Sequence, residues 1–446
     1  MAEHGFVPHI VFGLNPLAVS TLILVLTYAV IIWDRFNRAV VALLGAAVLI
    51  VIGALDQAEA VRGIDWNTIG LLTGMMILVS IARRSGMFQF VAIWSAQRVN
   101  ANPAGILLLL QIVTAVLSAL LDNVTTVLLI VSVTLAITDE LDVPPYPFLF
   151  AEIFASNIGG ASTLVGDPPN IMIGTGAGLD FNAFLVVLGP VIVVVLLVQL
   201  LIIHLTWGRK LHASPQARTL VMGMNAAGMI TDWTLMRQSL FVLTLVMLAF
   251  VLARSLHLEP ATIALAGAAL LLLLHTWKGS SEQQTEAVHT SLAEVEWITI
   301  FFFIGLFILV HAVEVSGLLG LVADALVSAT GGHLPAAAYA ILWGSALLSA
   351  IIDNIPFVAT MMPVVKGMAP AYGGIDKIEP LWWSLSLGAC LGGNATLVGA
   401  SANLLVAGLG ERNGVPFRFI SYSLYALPMT IVSIAICHIY LWWRFF

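Results

Sequence analysis

Apolar positions run through this chain in long unbroken stretches, at roughly 17–33, 38–55, 66–82, 182–207, 236–254, 260–277, 298–315 and 421–443. A helix needs about 17–25 such residues to cross a bilayer. None of the runs alternates as a strand would, so they predict helices that satisfy their backbone internally. Two regions break the pattern. Residues 104–138 form two apolar arms that meet at Asp122-Asn123, and 147–175 starts as a span and then breaks into GGASTLVGDPPN. The second half has both features again: arms over 336–365 meeting at Asp353-Asn354, and a broken span over 382–409 containing GGNATLVGASAN. Polar stretches at 208–234 and 278–296 are too short for a soluble domain, and the first reads as a cytosolic linker.

The recurrence is an internal repeat that subtraction exposes. Asp65-Trp66-Asn67-Thr68-Ile69 matches Glu296-Trp297-Ile298-Thr299-Ile300 at a shift of 231, and that register to Gly86 and Gly317 gives nine identities in 22 positions. Ser118-Ala119 and Asp122-Asn123 match Ser349-Ala350 and Asp353-Asn354 at the same shift. Thr163-Leu164-Val165-Gly166 matches Thr396-Leu397-Val398-Gly399 at 233, and Gly45-Ala46-Ala47 matches Gly267-Ala268-Ala269 at 222. The expected units are 1–207 and 235–446, joined by 208–234. Each holds a re-entrant hairpin (about 104–138 and 336–365) and a discontinuous helix (about 147–175 and 382–409).

An odd number of crossings separates a helix from its copy, so the two repeats are expected to be inverted. The expected fold is an all-α polytopic membrane protein of about ten full spans plus two hairpins. With both termini outside, the cytosolic side holds 12 Lys and Arg against 5 on the exterior, which sets the orientation by charge. The N-terminal stretch has no basic n-region, so 17–33 is expected to be a retained first span.

Composition agrees. Of 446 residues, 60% are hydrophobic and 9% charged, against roughly a quarter charged in soluble domains. A net charge of −7 offers no basic face to nucleic acid. Cys390 and Cys437 are the whole cysteine complement, which excludes a disulfide framework or thiolate metal cluster. No Ser–His or zinc-ligand arrangement appears, so no enzyme is expected.

Carboxylates are costly in hydrocarbon and need a reason to be there. Asp122, Glu152, Asp167 and Asp353 are the exceptions to an otherwise loop-borne set of acids. A helix broken at Asp122-Asn123, with Thr125 and Thr126 following, exposes carboxylate, amide and hydroxyl oxygens suited to a small cation. Helix capping is the structural alternative for each Asp. The broken spans bring Ser162, Thr163, Gly166, Asp167 and Asn170 in one half, and Asn394, Thr396, Gly399, Ser401 and Asn403 in the other. Glycines permit close approach and prolines stop the helix. The second site is expected to be unequal to the first, because Ala400, Ser401 and Ala402 replace Asp167, Pro168 and Pro169. A sodium ion at Asp122, Asn123, Thr163, Asp167 and Asn170, with Glu152 as a proton relay, is the expected coupling machinery. Cys390 reads as an apolar filler, His311 as a packing residue, and Trp382-Trp383 and Trp442-Trp443 as interfacial belts.

LDNVTTVLLIVSVT, AEIFASNIGGASTLVGDPPNIMIG and IIDNIPFVATMMPVV resemble the ion transporter superfamily, in its melanocyte P-protein and bacterial arsenical-pump membrane-protein branch. The resemblance implies re-entrant hairpins, a site between their tips and the broken helices, an elevator motion, a homodimer and an inner-membrane location. No Lys or Arg lies in either tip or broken helix, which points away from a multiply charged anion. The expected function is arsenite or antimonite efflux (arsenical resistance) coupled to proton or cation exchange, with a cytosolic arsenical-pump ATPase as a partner. Sodium/proton antiport is the alternative, and carboxylate or other anion symport the third reading.

Overall fold

The computed structural model describes residues 8, 10, 13–33 and 35–446, so most of the N-terminal stretch judged to lack a basic region lies outside it. Helices begin where the polar punctuation places them. The first half runs α1 (Pro16–Trp33), α2 (Arg38–Val51), α3 (Gln57–Arg62), α4 (Trp66–Arg84), α5 (Met87–Arg98), α6 (Pro103–Leu120), α7 (Asn123–Glu140), α8 (Tyr146–Gly160), α9 (Pro168–Ala177) and α10 (Phe181–Thr206). A short α11 (Pro215–Met222) occupies the linker. The second half runs α12 (Trp233–Leu256), α13 (Pro260–Thr276), α14 (Ser281–Ala293), α15 (Trp297–Val315), α16 (Leu318–Ala329), α17 (Leu334–Ser349), α18 (Asn354–Met368), α19 (Glu379–Gly392), α20 (Ser401–Arg412) and α21 (Phe419–Phe445). Asn37, Asp65, Asn102, Asp180 and Asp232 cap their helices by accepting backbone N–H groups. Among the described residues there is no strand, and eight helices are long and apolar enough to cross a membrane. Helices α2 and α13 are apolar but shorter.

Packing follows the same order in both halves. Helix α2 lies on α15 and α4 on α13; Gly305 admits the backbone at Ala42, and Gly74 admits that at Ala264. These two glycines are 231 residues apart. Likewise α6 packs on α8 and α17 on α19, with Gly159 against Ala115 and Gly392 against Ala346. A Cβ at any of the four would push into a neighbouring helix. Helices α7, α8, α9, α18, α19 and α20 also contact one another across the two halves.

Three expectations change. The 278–296 loop is largely helical, as α14, opened by a Ser280–Gln283 capping box. Helices α5 and α16 went unseen because each has only 12 residues; both open on left-handed glycines, Gly86 and Gly317. Trp382 and Trp383 are no interfacial belt. Both are buried; Trp383 meets Phe184 edge-on and donates Nε1–H to Glu379 at 2.9 Å. The physical reason is that α19 is enclosed on every side, so even its first turn faces protein. Trp442 and Trp443 are exposed, as a belt requires.

Candidate functional site

The broken spans are held open by side chains that serve the freed backbone. Asn170 Nδ2 donates to the carbonyls of Thr163 (2.9 Å) and Gly160 (3.3 Å); Asn403 Nδ2 donates to those of Thr396 and Gly393, both at 2.8 Å. Thr163 and Thr396 donate across to Ala119 and Ala350, the carbonyls just before each hairpin tip. Gly160 meets Gly166, and Gly393 meets Gly399, too closely for any Cβ. Ser162 bonds back to Gly159, and the Gly166 carbonyl accepts from Asn123 N–H at 3.1 Å, joining tip to break. Thr163, Gly166, Asn170, Thr396, Gly399 and Asn403 therefore shape the non-helical backbone.

Each tip aspartate divides its oxygens. Asp122 Oδ1 accepts the Thr125 N–H at 2.7 Å, and Asp353 Oδ1 accepts the Ile355 N–H at 3.1 Å. So both cap the returning helix, and each keeps one oxygen for other work. Asp353 Oδ2 takes the Arg38 guanidinium at 3.1 Å and the Ser401 hydroxyl at 2.7 Å, and Arg38 also donates to Ser401 Oγ at 2.7 Å. A small enclosed cavity of about 30 Å³ lies between the tips, lined by Asp122, Arg38, Glu296 and Ser401 among apolar neighbours.

Behind it lies a buried amide network that joins the halves. Asn123 donates to Asn157 at 3.2 Å, and Asn157 donates to Asn394 (2.9 Å) and Asn403 (2.8 Å). Asn354 reaches Asp167 at 3.4 Å from the opposite tip, and Asp167 is 1% exposed. Asn170 accepts from Ser386 at 2.6 Å and from the Cys390 thiol at 3.5 Å, so Cys390 belongs to this polar core and is no mere filler. Asn123 Oδ1, Thr126 Oγ1 and Asn394 Nδ2 are buried without partners. These atoms can receive a solute or water.

Other expected groups stand apart. Glu152 pairs with Thr134 on α7, and its second oxygen has no partner. His311 faces α3, with Nε2 3.5 Å from Glu59 and Nδ1 3.4 Å from Glu314, so it does more than pack. Larger cavities open elsewhere, among them one of about 550 Å³ beside the end of α9 and the starts of α10 and α13. Another of about 990 Å³ lies between the ends of α7 and α20, and one of about 480 Å³ lies among α9, α15 and α18.

Sequence reasoning missed Arg38, Glu296, Asn157 and Ser386. Arg38 opens an apolar run and reads as an ordinary loop-end charge; its approach to a tip 315 residues away leaves no mark in local pattern. Asn157 had a weak signal, as an amide inside a span.

Residues 28–388 match the CitMHS family, described as citrate transporter. An uncharacterized transporter of Mycobacterium tuberculosis is 43% identical over 432 residues, covering 96% of this chain and 98% of the relative. The P protein of Homo sapiens is 33% identical over 506 residues, covering 95% of this chain and 59% of that protein. The crystal structure of the YdaH transporter of Alcanivorax borkumensis aligns with a TM-score of 0.60 at 13% identity, over 96% of this chain and 98% of that one. That likeness concerns the fold.

Proposed function

From the premise that this chain belongs to the CitMHS citrate-transporter family, we propose that it is a secondary active carrier of a small carboxylate-bearing anion, driven by sodium or protons. The observation that carries this reading is the meeting of the residues around Asp122 and Asp353 with two broken helices about partly buried carboxylates and one guanidinium. Asp122 and Asp167 offer charge to a coupling cation. The remaining N–H groups of Arg38 and the starts of α7 and α20 offer donors to an anion.

The two halves are inverted repeats with re-entrant hairpins, and the hairpins and broken spans slide as one body against α2, α4, α13 and α15. The cavities beside α7–α20 and α9–α18 are its access routes. Their linings correspond across the repeat: Val131 and Met362 are 231 apart, and Leu409 and Gly176 are 233 apart. Such equivalence under inversion puts one on each membrane face. The working form is a homodimer in the cell membrane with both termini outside.

The expectation of arsenite efflux rests on the absence of Lys or Arg from the tips and broken helices. Arg38 removes that objection to an anion, and Cys390 supplies one thiol where capture of a soft ion wants several. The test is uptake into proteoliposomes of labelled citrate and of arsenite, with sodium and pH gradients imposed separately. Cation-dependent citrate uptake is expected. Arsenite movement without any carboxylate uptake would refute the substrate class.

A further inference from the structure

The two tips differ in charge in a way the repeat makes legible. Asp122 and Glu296 line the cavity between the tips together with Arg38, and Asp167 lies between the two tips, within reach of Asn354 at 3.4 Å. Of the two acids Asp122 and Asp167 that the first half supplies, the second half copies only the first, as Asp353, because Ala400 stands where the first half has Asp167. The second tip also has what the first lacks. Arg38 corresponds to Pro260 at the shift of 222, and Ser401 to Pro168 at 233, so neither the guanidinium nor its hydroxyl partner has a copy at Asp122.

We propose that Arg38 is a tethered counter-ion that fills the cation position of the second hairpin, so that mobile coupling cations bind only at the first. The geometry is that of a ligated cation. Asp353 Oδ2 and Ser401 Oγ converge on the guanidinium nitrogen at 3.1 and 2.7 Å, and Ser401 closes the triangle by donating to Asp353 at 2.7 Å. The Arg38 and Asp353 side chains are 30% and 16% exposed, so the pair is partly withdrawn from solvent. A fixed charge cancels Asp353 permanently and leaves the tip neutral. Asp122, which has no ion-pair partner among the described residues, is left for protons or metal cations to neutralise. The neutral tip tolerates an anion, and the acidic one takes the driving ions. The inference deepens the carrier reading above and rests on it for the role of the first tip.

The test needs no substrate. Purified protein is melted across sodium concentrations and pH values. Arg38→Ala is expected to lose stability at low sodium and neutral pH. Raised sodium or lowered pH restores it, since either neutralises the bared Asp353. Arg38→Lys keeps a charge and is expected to need neither. The combined Arg38→Ala, Asp353→Asn variant removes both charges and is expected to melt like the wild type, with no added ion response. Transport by Arg38→Ala at low sodium is expected to fall at least about tenfold, the lower end of what unpairing a partly desolvated charge costs. An Arg38→Ala variant whose ion response matches the wild type overturns the proposal. So does a combined variant no better than Arg38→Ala, which would give Arg38 a different task. A wild type without ion response beside an Arg38→Ala variant that acquires one supports the tethered ion and refutes the cation site at the first tip.

Discussion

Asp122 and Asp353 show how one side chain serves fold and function together. One carboxylate oxygen caps α7 or α18; the other is taken by Arg38 and Ser401 in Asp353 and stays out of the cap in Asp122. Asn in place of Asp122 keeps an acceptor for the cap but removes the charge. Asp122→Asn is therefore expected to remain folded, by gel filtration and melting, while losing cation-driven uptake. Normal transport would reduce Asp122 to a cap. Asp167 sits beneath the tips with its charge unmatched by any Lys or Arg contact. Asp167→Asn is expected to shift the sodium or pH dependence of transport, whereas Asn394→Ala, which deletes an unpaired donor, is expected chiefly to raise KM. Kinetics that show neither change would remove the basis for unequal sites. Replacing Cys390 and Cys437 with Ser together is expected to retain transport, since neither thiol lines the cavity between the tips.

Among the elements, the hairpin–broken-helix pairs depend on backbone approach. Gly159 lies against the Ala115 carbonyl, and an added Cβ would overlap it. Gly159→Ala is expected to destabilise by about 1–3 kcal/mol, the usual cost of overpacking. Gly344, on α17, has open space around its Cβ direction. There Ala is expected to stabilise by about 0.5–1 kcal/mol through helix propensity. Melting of the two variants in detergent decides it, and equal shifts would mean that α6 can retreat from α8 without penalty. Element boundaries were legible because apolar length and cap residues are local signals. The expected 66–82 and 298–315 became α4 and α15 with small extensions. Helices α5 and α16 escaped because a 12-residue helix falls below a spanning length.

At the scale of the whole molecule, inversion predicts where reporters fall. Fusions at residue 446 and within 208–234 are expected in opposite compartments, with the linker in the cytosol. The same compartment for both would break the odd count of crossings between the halves.

The amino-acid sequence by itself determined the membrane class, the helix breaks at Asp122 and Asp353 and the interruptions at 161–167 and 393–400. Each of these is written in runs, breaks and repeats of neighbouring residues, and bilayer energetics leaves few ways to satisfy them. It also marked Asp122, Asp167 and Asp353, because an acid in an apolar run is conspicuous at once. Tertiary structure alone decided which polar atoms hold backbone and which face the cavity: Thr163 and Asn170 turned inward to carbonyls, and Ser401 turned to Asp353. It alone buried Trp383 and brought Arg38 to the second tip. A side chain's partner across 315 residues is set by how helices pack, and packing direction has no period in the chain that carries it.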